Sequence, residues 1–200
     1  FNPRQKLLLL IICEKIKQAH NLMINEGTDK EYSNAIVSYL ALGLDRIADR
    51  NSRFSIWNTF AEKQEHVFGR HAMPMVFDYA ETNVIEGKQG WKKQFDYVLK
   101  CLENLQVSDK IPHIEMLDAM RLPYTDQFFD AVITDPPYYD NIPYSYLSDF
   151  FYVWLKRTVG GLYPELFLTP LTPKSEEIVA HPNIGGGPKE AKELFEERLK

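Results

Sequence analysis

The apolar run FDAVIT, residues 129–134, stops abruptly at Asp135, Pro136, Pro137 and Tyr138. A short run rich in β-branched residues is patterned as a central parallel strand. Prolines cannot donate to a ladder, and a carboxylate is costly to bury without a partner. The stretch DPPYYDNIPYSY (135–146) is therefore expected where a strand has ended, at a turn or at the edge of a site.

The neighbouring pattern extends this reading. HIEML (113–117) alternates and predicts a second strand, and DAMRLPYTDQ (118–127) predicts a loop interrupted by Pro123. SYLSDFFYVWLKR (145–157) returns to helical spacing, with Leu147, Phe150 or Phe151, and Trp154 on one face. Strand, loop, strand and helix in that order predict an α/β layer with a parallel sheet of few strands.

The first half has a different period. Residues 5–25 form a long apolar-rich run without Gly or Pro. Thr28 and Glu31 then match the S/T-x-x-E capping box. Ile36, Leu40, Leu44 and Ile47 follow at helical spacing and predict a helix ending near 50–52. Residues 54–75 predict a short helix and a loop, and 86–90 a surface turn. WKKQFDYVLKCLENL (91–105) is amphipathic, with Phe95, Val98, Leu102 and Leu105 on one side. PNIGGGP (182–188) predicts a turn, and 189–200 a charged helix. The organisation expected is a mainly helical segment, 1–88, followed by an α/β segment, 89–200.

Composition narrows the function classes. A hydrophobic share of 44% supports a core. The two cysteines and five histidines match no zinc spacing, so no metal site is expected, and a reducing, cytoplasmic setting is. KLLLLIIC is too short to span a bilayer, and no membrane partner is expected. Residues 1–110 carry 15 basic and 14 acidic side chains, and residues 111–200 carry 8 and 14. Nucleic-acid binders usually present a basic face, and the net charge of −5 advertises none.

In open α/β sheets, ligands bind beyond the carboxyl ends of the strands. The two prolines stiffen the chain there and donate no N–H. Asp135 and the backbone carbonyls beside it make an acceptor-rich edge, and Tyr138 adds a flat face. That combination suits a planar ring carrying an amino group, whose two hydrogens need two acceptors.

DPPY after an apolar strand resembles the catalytic motif of S-adenosylmethionine-dependent amino-methyltransferases. The stretch LDAMRLPYTDQFFDAVITDPPYYDNIPYSYLSDFFYVWLKR is similar to the adenine-specific DNA methylase family containing the domain of unknown function 1156. So are YLALGLDRIADRNS, FGRHAMPMVFDYAE and GGGPKEAKELFEE. The resemblance implies a Rossmann-like methyltransferase sheet, S-adenosyl-L-methionine as cofactor, and DNA as partner with the target base flipped out. It implies that Asp135 and the Pro136 carbonyl accept the amino hydrogens, that Pro137 stiffens the motif, and that Tyr138 stacks on the base. Asp118, with Ala119 beside it, matches the position that contacts the cofactor's adenine. Tyr139, Asn141 and Tyr144 are candidates for shaping the base pocket, with turn and packing roles as the plain alternative.

The glycine-rich loop and ribose-binding acidic residue that the family carries after its first strands have no counterpart here. The chain therefore reads as an internal part of a longer methylase, whose remainder would be its partner. Neither isolated activity nor tight cofactor binding is expected of it. An N4-cytosine or RNA base methylase would use the same motif. A non-catalytic module whose helical half binds a protein or DNA is the alternative from another class.

Overall fold

A computed structural model describes residues 1–105, 110, 112–140, 142–175, 177–181 and 186–199. Among them are five α-helices: α1 (Pro3–Asn25), α2 (Lys30–Arg50), α3 (Trp91–Leu105), α4 (Tyr144–Val159) and α5 (Pro188–Arg198). A two-residue antiparallel ribbon pairs β1 (Trp57–Asn58) with β2 (Lys63–Gln64), with Trp57 opposite Gln64. The chain divides into two compact units, one of residues 1–106 and 147–172, the other of 107–146 and 173–200.

The first unit is built on the α1–α2 hairpin. Asn2 opens α1 with a full capping box. Its side chain accepts from the Gln5 amide at 2.8 Å, and the Gln5 side chain accepts from the Asn2 amide at 2.9 Å. Pro3 follows at the first helical position, where a missing N–H costs nothing. The cap of α2 is Asp29, which accepts from Tyr32 N at 2.8 Å, rather than the expected Thr28. Asp and Thr stand side by side there, and the carboxylate is the stronger acceptor at a positive helix end.

Leu9, Cys13 and Ile16 of α1 meet Val37, Ala41, Leu44 and Ala48 of α2 in one buried cluster, which Trp154 and Val159 of α4 complete. Phe1 lies edge-on to Trp154 with ring centroids 5.4 Å apart, and Phe68 packs on Phe150 at 5.1 Å. The aromatic run of α4 is thus largely core. Gly43 lets α3 close on α2, since a Cβ there would stand 3.0 Å from the Phe95 ring and 3.4 Å from Trp91.

Residues 54–67 form the small ribbon instead of a short helix. The loop is clipped to the end of α2. His66 Nδ1 donates to Asp49 at 2.7 Å, and Arg50 donates to His66 Nε2 at 3.0 Å and to the Gln64 carbonyl at 3.1 Å. Glu81 pairs with Arg4 at 3.1 Å and accepts from Asn2, anchoring its loop to the start of α1.

The second unit overturns the expected fold class. Among the described residues there is no parallel Rossmann-like sheet, and the β1–β2 ribbon is the whole of the sheet structure. Residues 113–117 and 129–134 run without regular structure and pair with nothing as strands. Their side chains are correspondingly bare: Ile114 is 84% exposed, Met116 77%, Val132 73% and Ile133 96%. A strand's backbone groups need neighbouring strands, and its alternating side chains need a face to bury against. The second unit instead closes locally, around Val179, Ala180, Ala191 and Phe195. Glu177 accepts from the Ser145 amide at 3.0 Å and from its hydroxyl, placing a carboxylate at the positive start of α4.

Candidate functional site

Asp135, Pro136 and Pro137 line an open cleft of about 920 Å³ in the second unit, together with Thr134, Ala119 and Met120. The turn at 118–121 supplies one wall. Asp118 accepts from Met120 N at 2.9 Å through its side chain and from Arg121 N at 3.0 Å through its carbonyl. This is an Asx turn, the usual role of Asp in a loop. Its carboxylate is turned onto its own backbone, while Ala119, next to it, faces the cleft. The facing wall comes from the end of α5 and from Ile178. It includes Glu197 and Arg198, and the Arg198 guanidinium is steadied by the Glu177 carbonyl at 3.1 Å.

Tyr138 is half exposed and donates its hydroxyl to Asp135 Oδ1 at 2.8 Å. That bond, reinforced by the carboxylate's charge, raises the phenol above its ordinary value of 10.0. The phenol keeps its proton and holds one oxygen of Asp135 in place, leaving the other for a second donor.

Tyr139 sits with φ at +59°, in the left-handed region unusual for a bulky residue. Two contacts hold it there: its carbonyl accepts from Ala180 N at 3.1 Å, and its ring meets Phe195 edge-on at 5.1 Å. Tyr139 therefore ties the motif to α5. Tyr144 begins α4, its amide bonded to the Ile142 carbonyl at 3.0 Å. Asn141 lies outside the described residues.

The structure thus brings together Ala119 and Asp135–Pro137, with Tyr138 joined through Asp135. Asp118, Tyr139 and Tyr144 take turn, packing and helix-start positions. The sequence reading missed Met120, Thr134, Ile178, Glu197 and Arg198. Nothing in spacing marks them, since α5 read only as a charged helix. Among the described residues, no group of three or more His, Cys, Asp or Glu side chains is arranged to hold a metal ion, and no helix is long and apolar enough to cross a membrane. No family model, characterised protein or solved structure matches this chain.

Proposed function

We propose that the cleft belongs to an S-adenosylmethionine-dependent methyltransferase acting on the exocyclic amino group of a base, adenine N6 in DNA. The observation that carries this reading is the shared cleft of Asp135, Pro136 and Pro137 with Ala119 and Met120. The motif suited to an amino group stands beside the turn at the cofactor-contacting position of the resembling family.

The cleft's volume lies within the ordinary range for small-molecule sites, roughly 300–1,000 Å³. Its donor set also fits the cofactor. Glu197 would receive the ammonium of the amino-acid end, Arg198 its carboxylate, and Ala119 and Met120 would line the adenine. When bound, the cofactor supplies an electrophilic methyl group on sulfur.

Everything else falls to the chain's own residues. Asp135 accepts one amino hydrogen and the Pro136 carbonyl the other, which concentrates the nitrogen lone pair on the nitrogen. Pro137 limits the freedom of the acceptor pair, and Tyr138 fixes the carboxylate through its hydroxyl while offering a ring face to a flipped base. Positioning, rather than acid–base chemistry, is the main contribution of such a site.

The test is methyl transfer from tritiated cofactor to DNA containing unmethylated adenine, assayed with the longest natural chain that contains these residues. Asp135→Ala is expected to lower incorporation by about 100-fold or more. Tyr138→Phe, which keeps the ring and loses the hydroxyl, should lower it less. Incorporation unchanged by Asp135→Ala would sink the assignment.

A further inference from the structure

A second cavity, of about 330 Å³, lies in the first unit, between α1 and the end of α4. Its walls carry Lys17, His20 and Asn21 from α1, and Lys156 and Arg157 from α4, with Gly161 just beyond. Among the described residues, no carboxylate lines it.

Cations in the last turn of a helix are ordinary, because they offset the dipole. That accounts for Lys156 and Arg157 but not for the groups that α1 contributes. Lys156 is already committed, donating to the Thr169 carbonyl at 2.6 Å and lying over the Tyr152 ring. Lys17 and Arg157 make no ion pair among the described residues, yet the fields of both reach the Cys13 thiol on the buried face of α1. His20 is held by Asn34 at 2.8 Å. Two elements separated by some 130 residues of chain therefore converge their cations on one concavity, within a protein of net charge −5.

We propose that this cavity binds a phosphoryl group, with Arg157 and Lys17 as the charged donors and Asn21 as a neutral one. A planar guanidinium pairs with phosphate through two parallel bonds, and an ammonium adds a point charge. The ligand is either a free phosphorylated small molecule or a phosphate of a nucleic-acid backbone. The site is independent of the reaction proposed for the cleft.

The probes are inorganic phosphate, followed by ³¹P line broadening, and a fluorescent single-stranded 12-mer, followed by anisotropy. Two variants keep the fold. Lys17→Gln with Arg157→Gln removes two exposed charges. Gly161→Glu inserts a carboxylate where a Cβ would meet nothing within 4 Å. Each is expected to weaken binding roughly tenfold, as loss of a charge-assisted bond does. Asp135→Ala should leave it unchanged. If both probes weaken together and compete, the ligand is a backbone phosphate; if only inorganic phosphate responds, it is a free phosphoryl ligand. Binding of neither probe, or equal binding of both by wild type and Gly161→Glu, overturns the proposal.

Discussion

In the first unit Leu9, Leu44 and Ile47 are fully buried, whereas in the second Ile114, Val132 and Ile133 stand 84%, 73% and 96% exposed. The side chains are of the same kind, so hydrophobicity does not separate them. The separation lies in what each backbone needs from its neighbours. A helix satisfies its own N–H and C=O groups and needs only one apolar stripe covered. An extended segment needs hydrogen-bonding partners on its edges as well as a face to pack on. The α1–α2 hairpin finds its cover within the unit, while residues 113–134 do not become strands.

The sharpest way to break this contrast is a matched pair of truncations. Leu44→Ala should cost about 3–4 kcal/mol by denaturant titration, the usual price of an unfilled core site. Ile133→Ala should stay within about 0.5 kcal/mol. A cost above about 1 kcal/mol for Ile133 would mean that it is buried after all.

The first unit also carries a weakness with no counterpart among the described residues of the second. Asp45 lies among the buried residues of α2, with Oδ1 bonded to nothing. Burial pushes its carboxyl from 3.8 up to about 8. The folded state thus holds a proton that the unfolded chain releases. The stability this proton confers is complete below pH 3.8 and is lost as pH rises through about 8. Asp45→Asn should flatten that decline and gain about 1–3 kcal/mol at pH 8 relative to wild type. Unfolding curves at pH 5 and pH 8 check it, and an unaltered slope in the variant would remove Asp45 as the cause.

The smallest effect belongs to the second unit, where backbone geometry rather than burial is at stake. Tyr139 spends conformational energy at φ +59° and recovers part of it through Phe195. Tyr139→Gly should be about 1 kcal/mol more stable than Tyr139→Ala, because only glycine takes that conformation freely. Equal stabilities would show that the turn rearranges when the ring is removed.

The legible parts of the sequence were those whose signal is local. The helices over 91–105 and 145–157, and the one expected to end near 50–52, were readable from spacing, because a helix's period resides in the segment itself. Asp135, Pro136, Pro137 and Ala119 were named from the motif and the resemblance, and the structure lines one cleft with them. The strands over 113–117 and 129–134 were misread because alternation describes a capacity to pair, and pairing depends on residues elsewhere. Asp118 caps its own turn, because a short carboxylate near neighbouring amides bonds them first. Glu197 and Arg198 had no marker at all, because a wall contributed by a distant helix leaves no trace in spacing.

The two cysteines turn this architecture into a built-in reporter. Cys13 is 5% exposed in the α1–α2 core, and burial raises its thiol above 9.0, whereas Cys101 is exposed on α3. The thiolate is the reacting form, so the folded protein offers one accessible sulfur to an alkylating reagent and withholds the other. Labelling at Cys13 therefore times each opening of the hairpin, with Cys101 as the internal standard in the same chain.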